Sequence, residues 1–468
     1  LGGDSIRSLQ IIARANQKGF KLTPKQLFEH QTIAAAAAVA VPRVLQARAA
    51  QPQSDGQSEP SVPARVEAAT DFTLVSLDRG ELNALPLNWD DVEDLYTLSP
   101  MQEGMLFHTL LNPGSGIYLM QQHYHWQGPL DREAFVKAWH RVIERHAILR
   151  TSFLWKDLKQ PLQVVHKRVD PTLVLEQLDW RELPDAEQDA RLDLLLHDEL
   201  KTGFDLSQAP LMRLRLIRVA DDDYRIVRSF HHILTDDWCF SLLMMDCLAY
   251  YDAYVEGKEL HLKPPRPYRD YIAWLHKQDL SAAETFWRNE LKGFTTSTPF
   301  GVERPGGALP AHESGVSDAY AELSASTTDL LLTLAQQHQL TPNTFVQGAW
   351  ALLLSRYSGE RDVLFGVTVA GRPTELEGVE GIVGLFINSL PLRVAIPPEV
   401  TLLAWLKDLL AHNYRLRQYE YPPLISIQRW WPIPGSNLGS DCPMTGSGSS
   451  TRRSNGCSGI SRSSWKAW

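Results

Sequence analysis

Apolar positions change their period several times along the chain, and each change predicts an element. Ile6, Leu9, Ile12 and Ala13 follow a helical period, Gly19 is placed to end that helix, and Thr23-Pro24 reads as an N-cap and first helical residue. A short Ala-rich helix is predicted after Thr32, so residues 1–42 read as helical, with Ser5 at a helix N-terminus just after two glycines. Residues 43–70 are rich in Ala, Gln, Ser and Pro and have no period, which predicts a linker. Phe72, Leu74, Leu77, Leu82 and Leu85 predict that its end, up to residue 91, docks on the next domain.

The main body alternates between strand and helix periods. Pro100 sits where a helix can begin, and Tyr118 to Trp126 alternates as a strand. Arg132 to Ile148 is an amphipathic helix with Phe135, Trp139, Val142 and Ile143 inward, followed by a strand from Leu149 to Trp155. Leu211 to Val219 and Tyr224 to His232 flank an aspartate-rich turn and predict a hairpin. A long helix is expected from Trp238 to Tyr254. Further helices are expected at Ala282–Leu291, Thr327–His338 and Thr341–Ser355, then a buried apolar strand at Asp362–Ala370. The fold class is mixed α/β, without a dinucleotide fingerprint, a P-loop or a short repeat.

The chain has 468 residues and a formal net charge of −9. Its Lys and Arg residues are scattered rather than striped, which argues against nucleic acid as a partner. No apolar run reaches the roughly 20 residues that span a bilayer, and no signal peptide opens the chain. It begins without Met, so a fragment of a cytoplasmic protein is expected. Cys239, Cys247, Cys442 and Cys457 show no zinc-like spacing, so buried or incidental thiols are expected.

His231-His232 carries the candidate chemistry. On a continuing strand the two rings point to opposite faces, which disfavours one shared metal, and no metal site is expected. By parity His232 shares a face with Ile226 and Phe230. A single imidazole at a strand end suits proton transfer from an amine or hydroxyl. Asp236 could orient a histidine or hold the loop through an arginine; a hydrogen-bonded histidine pair is the bland alternative. Ser5 could carry a phosphate at its helix N-terminus or serve only as an N-cap.

Longer motifs decide between these readings. Leu1-Gly2-Gly3-Asp4-Ser5-Ile6, with Ser8-Leu9 and Leu27-Phe28, resembles the second half of a peptidyl carrier protein. That resemblance implies 4′-phosphopantetheine on Ser5, attached by a phosphopantetheinyl transferase. His231-His232-x-x-x-Asp236 followed by Trp238 resembles the active-site motif of nonribosomal peptide synthetase condensation domains. Ser99–His108, Arg145–Phe153, Tyr268–Trp274 and Gly384–Arg393, the last preceded by Gly371-Arg372-Pro373, match other motifs of that family in order.

The resemblance implies two lobes, each like chloramphenicol acetyltransferase, arranged in a V after a truncated helical carrier domain. The lobes are expected at 92–275 and 276–439, with an aberrant or disordered tail at 440–468. The catalytic pair would be His232 and His231, with His232 facing a tunnel. Asp236 would be structural, paired with Arg372 or Arg150, while Asn388 and Trp238 would line the tunnel. The implied reaction is amide formation between two carrier-tethered groups: the amine of one attacks the thioester of the other. Implied partners are upstream and downstream carrier domains and adenylation domains. Alternatives are an epimerization-type domain or an impaired module that only docks carriers. The form of the first motif resembles domains that accept a D-configured donor.

Two positions depart from the family pattern. Asp237 stands where glycine is usual, and glycine there could serve a special φ or a close approach, so reduced activity is expected. From Ser440 to Trp468 the chain has no period of either kind, and a foreign or out-of-frame tail is expected.

Overall fold

The computed structural model describes residues 72–295, 298 and 321–431, with residues 15, 20–21, 33–39 and 41–42 before them. In that early part, β1 (Phe20–Lys21), α1 (Ile33–Val39) and β2 (Val41–Pro42) are present, and β1 pairs antiparallel with β2. The all-helical expectation for 1–42 is corrected here: the Ala-rich helix forms, but two extended dipeptides close around it. Pro42 lacks a backbone N–H, so such a short edge pairing suits it better than a continued helix. Ser5 and the tail 440–468 lie outside the described residues.

The docking stretch carries α2 (Arg79–Asn83), started by a capping box in which the Asp78 carboxylate accepts the Glu81 amide. Leu82 and Leu85 bury against Val92, Leu95, Leu162 and Val164, so this segment does pack on the next unit. That unit begins with β3 (Val92–Thr97), α3 (Pro100–Leu111), β4 (Leu119–Gln127), α4 (Arg132–Arg145), β5 (Thr151–Leu154) and β6 (Leu162–His166). Strands β3, β6 and β5 form an antiparallel sheet in that order. The helix predicted to Ile148 stops at Arg145 and tightens into a 3-10 turn at Ala147–Arg150.

Next come β7 (Leu175–Asp179), α5 (Asp185–Thr202), β8 (Met212–Ala220), β9 (Asp223–His231) and α6 (Asp237–Val255). They complete a four-stranded sheet of order β4-β9-β8-β7, in which β8 and β9 are the predicted hairpin and β7 runs parallel to β8. Alternation divides its two faces. Leu214, Leu216, Ile226 and Phe230 enter the main core with Trp139 of α4 and Leu243 of α6. Ile217 and Val227 face the other way and pack under Leu192 and Leu196 of α5.

α7 (Arg269–Leu275) closes the first half, and the second half contains α8 (Leu280–Glu290), α9 (Ala325–His338), α10 (Pro342–Ser358), β10 (Asp362–Val369), β11 (Asn388–Ala395), α11 (Leu402–Arg417) and α12 (Leu424–Trp430). Thr341 caps α10 and Pro342 opens it, as the sequence predicts. Trp287, Leu354, Val363, Leu390, Leu392, Trp405 and Leu409 build a second core. β10 pairs antiparallel with β11. The expectation of a fully buried β10 is corrected: Val363 and Val369 are buried, while Gly366 and Thr368 are exposed. The helices cover one face of this pair, so only alternate residues are buried.

One connection crosses between the cores. Leu376, Val379, Ile382, Val383, Leu385 and Phe386 leave the second half and pack in the first core with Tyr268 and Tyr271. This crossing segment brings Arg372 and Phe386 to the histidine turn.

Candidate active site

β9 ends at His231, and the chain then turns through His232–Asp236 into α6. Ile233 and Leu234 are fully buried and anchor the turn in the core. Gln102 of α3 holds it from the side, donating from Nε2 to the Ile233 carbonyl oxygen at 3.1 Å. The same side chain closes a capping box, because its Oε1 accepts the Ser99 amide at 2.9 Å.

The two histidines are in different states. Thr109 Oγ1 donates to the Met105 carbonyl at 2.8 Å, so it accepts from His231 Nε2 at 3.1 Å. His231 Nδ1 accepts the Ile233 amide at 3.2 Å. Both ring nitrogens are thus committed in a neutral ring. Burial, helped by the neighbouring His232, pushes the His231 pKa down to about 3.

His232 is only 8% exposed. Its Nδ1 lies 2.9 Å from the Thr235 carbonyl oxygen, which can only accept, so Nδ1 carries the proton. The lone pair is then on Nε2, which has no hydrogen-bond partner among the described residues. Such a ring can accept a proton at one defined atom.

Asp236 does not orient His232. Its Oδ1 lies 3.3 Å from Arg372 Nη2 and 3.1 Å from Cys239 Sγ, and its Oδ2 accepts the Phe386 amide at 3.1 Å. Arg372 Nη1 also donates to the Val379 and Ile382 carbonyls at 2.7 and 2.9 Å. Its guanidinium lies over Phe386 and Trp238, with centroid distances of 4.0 and 5.0 Å. The acid and the arginine are therefore a buried structural clamp between the start of α6 and the crossing segment. Gly371 has φ +60°, and a Cβ there would meet the Phe386 carbonyl oxygen at 1.8 Å, so glycine is required beside Arg372.

Of the two arginines expected near Asp236, only Arg372 is there. Arg150 pairs with Glu93 at 2.6 Å and donates to the His166 carbonyl, on the three-stranded sheet. Its place in the active site is corrected: the 3-10 turn after α4 points it to that sheet. Trp238 donates from Nε1 to the Glu380 carbonyl at 2.9 Å. Asn388 donates from Nδ2 to the Glu420 and Pro422 carbonyls at 2.7 and 3.0 Å, so its amide is spent on the α11–α12 turn.

Asp237 occupies the first turn of α6, is exposed, and is not among the residues with positive φ. The expectation that glycine serves a special φ here is corrected: the backbone is helical, and any residue adopts it. Cys239 is buried, and burial pushes its thiol up to about 12. Among the described residues no group of three His, Cys, Asp or Glu could hold a metal ion, and no helix is long and apolar enough to cross a membrane.

Sequence reasoning missed Gln102, Thr109, Cys239 and Phe386. Only Gln102 carried a readable signal, the Ser99-x-x-Gln102 capping spacing. Thr109 and Phe386 act through contacts distant in sequence, and Cys239 touches both Asp236, three residues before it, and the distant Gly384.

Comparisons with known proteins identify related sequences and folds. The condensation-domain family model matches residues 92–439, and the phosphopantetheine attachment site model matches residues 1–40. A linear gramicidin synthase of Brevibacillus parabrevis is 46% identical over 369 residues, which is 78% of this chain and 7% of that protein. Surfactin synthase subunit 3 of Bacillus subtilis (strain 168) is 37% identical over 341 residues, 72% of this chain and 26% of that protein. The starter condensation domain of rhizomide synthetase superposes with a TM-score of 0.60 at 19% identity, covering 73% of this chain and 76% of that chain. The first condensation domain of the CDA synthetase gives 0.60 at 18% identity, covering 72% and 77%. The chain belongs to the condensation-domain family. Its relatives are parts of nonribosomal peptide synthetases, in which condensation domains form amide bonds by acyl transfer. The match over residues 1–40 names 4′-phosphopantetheine as the group attached to the carrier portion.

Proposed function

We propose that this chain joins two carrier-tethered acyl groups through an amide, with His232 as the proton acceptor. The supporting observation is the His232 ring, with Nδ1–H fixed on the Thr235 carbonyl and Nε2 open. The amine nitrogen of the acceptor attacks the thioester carbonyl of the donor, and a C–N bond forms. A proton passes from that nitrogen to His232 Nε2. The C–S bond then breaks, and the proton returns to the departing thiolate. An oriented neutral amine needs little further activation, and tethering supplies effective concentration. His231, with both nitrogens committed, supports the turn and takes no proton in this reading. Asp236 and Arg372 hold the start of α6, and Trp238 and Asn388 brace the same region.

The division proposed is a carrier portion at 1–42, a linker at 43–91, and lobes at 92–275 and 276–439, the two cores supporting the last two. The finer partners are adenylation domains that load the carriers and a phosphopantetheinyl transferase that modifies Ser5, all in the cytoplasm. The test mixes the chain with a donor carrier bearing an acyl thioester and an acceptor carrier bearing an aminoacyl thioester. Mass spectrometry should find the amide on the acceptor carrier only when both are present. Carriers that bind without forming an amide would instead favour a docking module.

A further inference from the structure

The four-stranded sheet carries a second recess, on the face turned away from α6. Ile226 and Phe230 enter the main core with α4 and α6, whereas Ile217 and Val227 pack under α5. Beside that smaller cluster a cavity of about 570 Å³ opens between α5 and β8. Glu199 of α5, 5% exposed, fixes its floor. The Glu199 carboxylate accepts the Ser229 hydroxyl of β9, the Gln121 side-chain amide of β4 at 3.4 Å, and the guanidinium of Arg215 on β8. Trp180, Leu194 and Leu195 supply an apolar wall, and Leu194 is 62% exposed.

Three arginines line the cavity, and they differ in pairing. Arg191 pairs with Glu187 at 3.5 Å, and Arg215 pairs with Glu199 and, at 2.9 Å, with Glu176. Arg213 has no ion pair among the described residues. It is half-buried, its Nη2 donates to the Gly203 carbonyl at 2.9 Å, and its guanidinium lies 4.2 Å from the Phe204 ring centroid. These contacts hold the head group in place and leave Nε and Nη1 without a hydrogen-bond partner among the described residues. Burial lowers the Arg213 pKa, and no acid offsets that effect. The Thr202 hydroxyl, at the end of α5, also has no partner among the described residues. Asp198, the remaining acid in the lining, is exposed, so water and salt screen it.

A half-buried guanidinium without a counter-ion is held at a cost that a bound anion offsets. One such cation matches one negative charge. Leu194 lies about 12 Å along α5 from Thr202, so a ligand that meets both the polar end and the apolar wall is long. We propose that this cavity binds a carboxylate with an apolar chain, such as a medium-chain fatty acid. The carboxylate pairs with Arg213 and accepts from Thr202, and the chain lies along Leu195, Leu194 and Trp180. The site is separate from His232 and does not depend on the condensation reading.

Calorimetry on the full chain tests this with decanoate, kept below the concentration at which it forms micelles, and with decanol, which has the same chain and no charge. The parent should bind decanoate about tenfold more tightly than decanol, the size of one charge-assisted hydrogen bond. Acetate should bind far more weakly than decanoate. Arg213→Gln should lose the preference for decanoate and keep its affinity for decanol. Leu194→Glu changes an exposed residue, which spares the fold, and the added carboxylate should weaken decanoate binding by about tenfold. A parent that binds neither long probe, or binds both equally, overturns the proposal. So does acetate binding as tight as decanoate, a preference that survives in Arg213→Gln, or an unchanged decanoate affinity in Leu194→Glu.

Discussion

Gln102 joins the first turn of α3 to the histidine turn, donating to the Ile233 carbonyl while its other amide atom caps its own helix. It also exchanges contacts with Gln163, the two side chains meeting at 3.0 and 3.3 Å. Gln102→Ala removes a cap and leaves buried partners unsatisfied, a cost of about 2 to 4 kcal/mol. Urea unfolding should show that loss. Turnover should fall as well, because the His232 turn loses its lateral support.

Asp236 and Arg372 make a buried pair, at 5% and 3% exposure. Removing one partner strands the other charge, so Arg372→Ala should cost about 3 to 5 kcal/mol. Arg372→Lys should recover little, since one ammonium cannot reach Asp236 and two backbone carbonyls together while covering Phe386. Arg150→Ala should leave the His232 turn intact, because Arg150 serves the three-stranded sheet. Thermal unfolding of the three variants checks the order.

His231 gives the stability a pH dependence. Its folded pKa is depressed from 6.5 to about 3, so the unfolded chain takes the proton first. The contribution is complete above pH 6.5 and declines as the pH falls toward 3. Between pH 7 and pH 5 it should lose about 2 kcal/mol. Urea unfolding at both pH values should show a smaller difference in His231→Gln.

Asp237 places a carboxylate at the helix N-terminus, where it is favoured, and it acts on the buried guanidinium of Arg228. Burial lowers the Arg228 pKa to about 10, and its guanidinium lies 3.9 Å from the Phe230 ring centroid. Asp237→Gly should therefore cost about 1 kcal/mol of stability. Turnover should rise in the same variant if the exposed carboxylate obstructs substrate. Equal rates would show that Asp237 is harmless to the reaction.

Local patterns revealed most of the elements. The hairpin of β8 and β9, the capped start of α10 and the long helix after the histidines follow from alternation, Thr-Pro capping and apolar content. The ordered motifs placed His232 and Asp236 in one site, but could not choose between Arg372 and Arg150. That choice depends on the crossing segment 376–386 entering the first core, a tertiary fact without a local period. Asp237 could be read as a departure, but its helical backbone required the fold.

The claim that matters most is that a single open nitrogen, His232 Nε2, receives the proton. Single-turnover amide formation between saturating donor and acceptor carriers tests it, comparing the parent with His232→Ala and His231→Gln. The expected result is a loss of about a hundredfold or more in His232→Ala, the scale of general-base catalysis, measured where unfolding curves show both proteins folded. His231→Gln should act chiefly through stability. A His232→Ala variant that forms the amide at the parental rate would contradict the account.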